Sequence, residues 1–173
     1  MKHIYLLALP LLAFTADNWQ PFSVDKQVSV HLPAKPSEMT KEEVGNIPAG
    51  AHVFVAESDG NIYQLTGPVP VPAALKTQDA SARSMFYDGE IKGMVQDQGS
   101  TLLSRKPFST SAGEGVAVTY RLAATQDSKA MIVFSRTFVA KRSSYTLTFL
   151  QADGDTTSGV ARRRFFNSIT VKP

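Results

Sequence analysis

The segment from Met131 to Val171 constrains the fold more than any other part of this 173-residue sequence. It reads as two strands of alternating apolar and polar residues on either side of the turn KRSS, followed by a polar loop, a short helix and a final strand. A period of two places successive side chains on opposite faces of a sheet. Consecutive strands joined by such short connections pair antiparallel, so residues 100–151 are predicted to form a meander.

Strands are predicted wherever this alternation recurs between turn residues. The predicted strands are Gln27–Leu32, His52–Glu57, Ile62–Thr66, Ser100–Phe108, Gly115–Ala123, Met131–Val139 and Tyr145–Gln151. Asp59-Gly60 followed by Asn61 predicts a hairpin turn, because glycine and asparagine tolerate positive φ. Gly67–Pro72, with a proline at every second position, is interpreted as an extended connector. Residues 37–50 fit either a helical turn or an extended edge.

A long helix is predicted over Thr77–Val95 and a short one over Ser158–Asn167. The long helix would present to the sheet one face made of Ala82, Met85, Phe86, Gly89 and Gly93. Its two glycines would let the helix backbone approach the sheet closely. A break at Asp88-Gly89 is the competing interpretation, since glycine costs a helix interior about 1 kcal/mol. The chain is therefore predicted to be α+β, with an antiparallel sheet of about six to seven strands against one long and one short helix.

The N-terminus predicts export. Lys2 and His3 precede a nearly apolar run from Ile4 to Ala16, shorter than the roughly 20 residues of a membrane-spanning helix and suited to a signal peptide. We expect residues 1–16 to be a signal peptide and residues 17–173 to be a single domain, periplasmic or extracellular, with no transmembrane segment. An uncleaved anchor and a buried N-terminal helix are the alternatives.

Composition excludes several functions. The sequence has no cysteine, which removes thiol catalysis, CxxC redox chemistry and thiolate zinc sites. The formal charge of +3 falls by one when Lys2 is removed with the signal peptide. So small a charge does not indicate nucleic acid as a partner.

Three short motifs resemble those of the Mog1p/PsbP-like fold, in particular of its small secreted bacterial members of unassigned role. The first is an "F-x-V … P" opening, carried by Phe22-Ser23-Val24, Val28-Ser29-Val30, Leu32-Pro33 and Pro36. The second is an "R-x-F … R-x-Y-x-L" hairpin, carried by Arg136-Thr137-Phe138-Val139, Arg142 and Tyr145-Thr146-Leu147. The third is a closing "F-F-x-S-F" element, carried by Phe165-Phe166-Asn167-Ser168-Ile169. The resemblance covers residues 19–171 loosely and 131–171 in detail. Members of this fold bind photosystem II components or a nuclear small GTPase, so the resemblance implies a fold and no catalytic residues.

No catalytic, cofactor or metal site is predicted from motifs. Beyond the signal peptide the histidines are His31 and His52, and the sequence lacks a G-x-S-x-G elbow and metal-binding histidine spacings. Asp153-Gly154-Asp155 matches only a fragment of a calcium loop. Gly113-Glu114-Gly115 is too short to cradle a phosphate.

Arg162, Arg163 and Arg164 form the densest basic cluster and are the candidate contact residues for an anion or an acidic partner. The competing interpretation is a solvated helix face on which the Arg162 stem covers apolar surface. A set of aromatic residues could line a ligand cleft, but their phase predicts core positions. These residues are Tyr120, Phe138, Tyr145, Phe149, Phe165 and Phe166.

The leading functional hypothesis is an exported, non-enzymatic accessory or binding domain without a cofactor. It would bind an unknown protein or small ligand on a sheet face or in the cleft between helix and sheet. One alternative is a hydrolase-type enzyme, which would hold His31 or His52 in a concave pocket near a carboxylate and a serine. The other is a structural component of the cell envelope. The sequence leaves the oligomeric state open.

Overall fold

The computed structural model describes residues 19–44, 49–76, 79–96, 99–126 and 128–172, and the predicted signal peptide lies outside them. The strands are β1 (Gln20–Ser23), β2 (Val28–Leu32), β3 (Ser37–Glu38), β4 (His52–Ser58), β5 (Asn61–Pro70), β6 (Thr101–Thr110), β7 (Gly113–Leu122), β8 (Met131–Ala140), β9 (Ser143–Ala152) and β10 (Thr170–Val171). The helices are α1 (Lys41–Val44), α2 (Ala73–Lys76), α3 (Ala80–Gln96) and α4 (Gly159–Asn167). None of the helices in these residues is long and apolar enough to cross a membrane.

Seven strands form one antiparallel sheet in the order β3-β4-β5-β9-β8-β7-β6. Its β6-to-β9 half is the predicted meander. The predicted α+β class and the size of the main sheet are confirmed. A second, three-stranded sheet adds to this prediction, because β2 pairs with β1 and β10 instead of joining the main sheet.

One face of the main sheet carries an aromatic core beneath α4 and the small sheet. The ring of Tyr63 meets Phe149 and Phe165 edge-on, with centroids 5.1 and 5.3 Å apart. Val28 and Val30 of β2 cover the same face and are nearly inaccessible to solvent. All six aromatic residues assigned to the core from sequence are buried. Alternation in the strands therefore located the core correctly.

The other face of the sheet is covered in part by α3. This helix is continuous, so the predicted unbroken helix is confirmed, and the Asp79 carboxylate accepts hydrogen bonds from the first backbone amides of the helix. Its buried side chains are Tyr87 and Ile91. The predicted contact face is wrong at Met85, whose side chain is 72% exposed.

The wrong prediction of the contact face of α3 has a physical cause. Apolar residues lie all around α3, so the 100° rule alone does not select one face. Tyr87 fixes the rotation instead, since its ring packs against β7 while its hydroxyl donates to the Glu114 carbonyl at 3.0 Å. Gly89 is accordingly exposed, and a Cβ atom there would meet nothing within 4 Å. The prediction that Gly89 lets the helix backbone approach the sheet closely is therefore wrong.

The β4–β5 hairpin turns at Asp59 and Gly60, which have φ angles of 52° and 74°, as the sequence predicted. The interpretation of Gly67–Pro72 as a connector is wrong, because β5 continues to Pro70. Pairing with β4 ends at Gly67, and only β9 remains alongside, with a register shift between Thr66 and Val69. A strand with one free side tolerates prolines, which cannot donate to a neighbour.

A partly buried hydrogen bond joins the two sheets. The Tyr145 hydroxyl donates to one Asp25 oxygen at 2.6 Å, and the other oxygen accepts from the Gln27 and Val28 amides. Burial alone would raise the pKa of Asp25, but the hydrogen bonds from Tyr145, Val28 and Gln27 outweigh it and hold the pKa below 3.8. The carboxylate thus stays ionised at the junction of the sheets.

Two glycines make a matched test of this packing. A Cβ at Gly115 would lie 2.6 Å from the Thr137 carbonyl oxygen and from the Phe108 ring. Gly115→Ala should therefore lower the free energy of unfolding by about 1–3 kcal/mol through overpacking. Gly89→Ala should instead raise it by about 0.5–1 kcal/mol, because alanine is the better helix residue. Urea denaturation measures both, and equal effects of the two substitutions would contradict this description of the packing.

Candidate functional site

A cleft of about 530 Å³ lies between α3 and the part of the main sheet that the helix leaves uncovered. Its wall on the helix side is low, because Gly89 and Gly93 contribute no side chains there. The remaining lining residues are Gln64, Thr66, Glu90, Met94, Tyr120, Leu122, Val133, Thr146, Thr148 and Leu150. The cleft is therefore part polar and part apolar, and it is the helix-to-sheet cleft expected from the sequence.

Polar side chains form the floor of this cleft on two neighbouring strands, β5 and β9. Alternation sends Gln64 and Thr66 of β5, and Thr146 and Thr148 of β9, to this face of the sheet, while their neighbours enter the aromatic core. The hydroxyls of Thr137 and Thr146 are 3.1 Å apart, and those of Ser135 and Thr148 are 3.4 Å apart. Such a floor offers both donors and acceptors to a ligand.

Glu90 is the one carboxylate among the residues that line the cleft. Burial raises the pKa of Glu90 above 4.5, and no cation lies among the lining residues to offset it. Burial also raises the pKa of Tyr120, which lines the cleft from β7. A partly buried acid without a counter-charge favours a ligand that brings a cation or a hydrogen-bond donor.

A second cavity, of about 480 Å³, lies near the start of α3 against β6 and β7. Its charges are mixed. Arg105 pairs with Asp88 at 2.6 Å, and Arg83 and Lys106 share the lining with Glu114. Its three cations, Arg83, Arg105 and Lys106, exceed the two nearby acids, Glu114 and Asp88, by one charge, and the Asp88 pair already engages Arg105.

The three arginines of α4 point in different directions, since successive helix residues are 100° apart. Arg162 is half-buried, with its guanidinium 3.8 Å from the centre of the Phe134 ring and its Nη1 donating to the Gln151 side chain. Arg164 lies over Trp19 at 4.8 Å. Arg163 is exposed and, with Arg162, lines a third cavity of about 170 Å³. The predicted stem of Arg162 over apolar surface is thus present, and the triplet does not act as one cluster.

Arg136 joins this third cavity and was missed as a site residue from sequence. Its guanidinium lies between the rings of Phe108 and Phe166, at 5.2 and 4.7 Å, and its Nη1 donates to the Phe166 carbonyl at 3.2 Å. Burial lowers the pKa of Arg136. In the sequence this arginine was interpreted as a packing position of a strand. A charged residue on a strand that is apolar on both faces could have indicated a site residue.

The two histidines of the described chain lie on open surface. His31 is exposed on β2, and His52 pairs with Glu38 at 2.5 Å while both side chains remain about half exposed. Neither histidine lines any of the cavities described above, so the pocket expected for the hydrolase alternative is not formed by them. Within the described residues, no three His, Asp or Glu side chains converge to hold a metal ion.

The acidic loop after β9 has structural contacts. The Asp155 carboxylate accepts from Thr157 and Ser158 ahead of α4, and these hydrogen bonds, with the Ser158 hydroxyl foremost, lower the pKa of Asp155 to about 2. Asp153 pairs with Arg121 at 2.5 Å. Both carboxylates are therefore engaged within the protein.

Two sheets with helices on both faces of the larger one define a PsbP-like α+β fold. The solution structure of the cyanobacterial PsbP protein (CyanoP) from Synechocystis is similar, with a TM-score of 0.65 and 11% identity over 92% of this chain and 96% of that chain. A Pseudomonas aeruginosa protein of unknown function, suggested to be a regulator, is similar with a TM-score of 0.52 and 10% identity, over 90% and 99% of the two chains. No protein-family model and no curated protein matches the sequence. The likeness confirms the fold expected from the motifs.

Glu90 makes a testable contribution to stability. Because its pKa is raised in the folded protein, the free energy of unfolding should fall as pH rises from the unfolded value of about 4.5 through the folded pKa. Glu90→Gln should therefore stabilise the protein at pH 7, by up to about 1 kcal/mol, and much less at pH 4. Chemical denaturation at both pH values measures this. The exposed Glu57→Gln is the control, and an equal gain from it would contradict the assignment.

Proposed function

We propose that the protein is an exported, non-enzymatic binding domain that takes a small polar ligand in the cleft between α3 and the main sheet. The observation that carries the proposal is the cleft itself, with its hydroxyl-bearing floor and its single carboxylate, Glu90. A volume of about 530 Å³ lies in the range of small-molecule sites, which is roughly 300–1,000 Å³.

The lining defines the chemistry of the ligand. Thr66, Thr146 and Thr148 both donate and accept hydrogen bonds, so they suit a group with several hydroxyls or amides. Leu122 and Leu150 supply an apolar strip beside them. Glu90 adds a preference for an amine or another cationic donor. A hydroxylated amine matches the threonines through its hydroxyls and Glu90 through its amine.

Binding without turnover is the function this lining favours. Glu90 has no second acid or base beside it among the residues of the cleft, whereas hydrolysis commonly uses a nucleophile and a base or a pair of carboxylates. A domain of this kind could also serve as a component of the cell envelope, where it would bind its ligand.

Ligand binding can be tested with three probes of graded charge. Glucosamine should bind most tightly, glucose more weakly and citrate not at all, as followed by the amide NMR signals of Thr146 and Thr148. Gly89→Trp should block binding, because residue 89 lines the cleft and has free space for a side chain. Met85→Trp, one helical turn away and highly exposed, should leave binding unchanged.

A charge-removing variant and three contrary outcomes complete this test. Glu90→Gln should remove the preference for glucosamine over glucose, since it removes the charge and keeps the shape. Saturable binding of citrate, or equal loss of binding in both tryptophan variants, would contradict the proposed ligand class. Conversion of a bound probe into a product would contradict the absence of turnover.

Export rests on the basic start at Lys2 and the apolar run to Ala16. Full-length protein produced in a bacterium should appear outside the cytoplasm with the mass of a chain that begins at Asp17. Leu7→Arg should retain the uncut protein in the cytoplasm, because it breaks the apolar run, whereas Leu7→Ile should not. Mass spectrometry of the separated fractions measures this, and uncut protein confined to the cytoplasm would contradict export.

A further inference from the structure

We infer that the cavity between α4 and strands β7 and β8 is a binding site for a single oxyanion. It lies on the opposite face of the main sheet from the α3 cleft, and it does not depend on the proposed function of that cleft. Its volume is about 170 Å³. Three guanidinium groups line it, from Arg136, Arg162 and Arg163, and no carboxylate does.

Two of these guanidinium groups are held in place by aromatic rings. Arg136 is sandwiched between Phe108 and Phe166, and Arg162 lies on Phe134. Each donates one hydrogen bond to a neutral oxygen, Arg136 to the Phe166 carbonyl and Arg162 to the Gln151 side chain, both at 3.2 Å. An arginine has five N–H donors, so donors remain on both for a ligand. Because the rings fix the planes of these groups, an anion would bind with little loss of side-chain freedom.

The charge of the cavity is not offset by the residues that line it. Burial lowers the pKa of Arg162, and the nearby positive charge of Arg163 lowers it further. Like charges in a half-buried site repel, and an anion between them relieves the repulsion. The planar fork of arginine matches carboxylate, phosphate and sulfate oxygens, so these groups share the required chemistry.

The volume of the arginine-lined cavity limits the size of the group that can bind. The cavity accommodates one small anionic group and not a chain of them. A separate cavity of about 280 Å³ is adjacent to it and shares Arg136, Phe166 and Asn167 as lining residues.

Sodium phosphate and sodium acetate are the probes, added to the protein at constant ionic strength with chloride as the competing anion. The arginine Nε–H signals report binding by NMR. We expect saturable shifts of the Arg136 and Arg162 signals with at least one of the two anions. A higher affinity for phosphate would identify a phosphate or sulfate group as the ligand, and a higher affinity for acetate would identify a carboxylate.

Arg163→Gln should weaken binding about tenfold, which corresponds to the loss of one charge-assisted contact of about 1.4 kcal/mol. Arg164→Gln is the matched control, because it removes the same charge from the same helix but outside the cavity, and it should change affinity less than twofold. Arg136→Lys keeps the charge but not the fork and should weaken the binding of whichever anion the site takes. Equal weakening in the Arg163 and Arg164 variants would reveal general attraction to a basic surface and overturn the site. Shifts that do not saturate with either anion would also overturn it.

Discussion

The edge-to-face packing of Tyr63 on Phe149 and Phe165 is the contact on which the rest of the fold depends. It joins β5, β9 and α4 at one buried point. Aromatic pairs of this kind contribute about 0.5–1.5 kcal/mol beyond the burial of their surface. Because α4 is anchored there, the chain that follows it is directed to β10, which pairs with β2 and closes the small sheet over the core.

The cleft on the opposite face follows from the same constraint. Strands that bury Tyr63, Leu147 and Phe149 on one side must turn Gln64, Thr146 and Thr148 to the other. Buried hydroxyls need partners, and Thr146 and Thr148 find theirs in Thr137 and Ser135 of the neighbouring strand β8. The helix that could cover them rests on β7 instead, because Tyr87 and Ile91 pack there. A polar floor beside a helix is therefore a consequence of how the aromatic core is built.

The sequence predicted the features that depend on local periodicity. The strands from Gly113 to Ala152, the turn at Asp59-Gly60 and the burial of Phe165 all follow from alternation or turn chemistry. Features that depend on a partner distant in sequence were not predictable in this way. The prolines after Gly67 are tolerated only because β4 has already ended, and the separate small sheet exists because β10 returns to β2.

The candidate sites were predictable only in part, for the same reason. Arg162, Arg163 and Arg164 were recognised as one basic cluster, but Arg164 lies over Trp19, outside the cavity, and Arg136 of β8 takes its place in the lining. Glu90 carried no motif, and its chemical character comes from burial by residues far away in the chain. The face of α3 was wrongly predicted because Met85 and Tyr87 are both apolar enough to be buried, and only the hydrogen bond to Glu114 distinguishes them.

The pairing of β2 with β10 has a consequence for the order of folding. Strands separated by about 140 positions meet in one sheet, and the hydrogen bond from Tyr145 to Asp25 spans a similar distance. Contacts between distant segments form slowly, because a long loop must close before they give any stability. The meander from β6 to β9 can assemble from neighbours alone, whereas β2 lacks its partner strand until α4 and β10 have been made. During synthesis the small sheet is therefore completed last, when β10 pairs with β2.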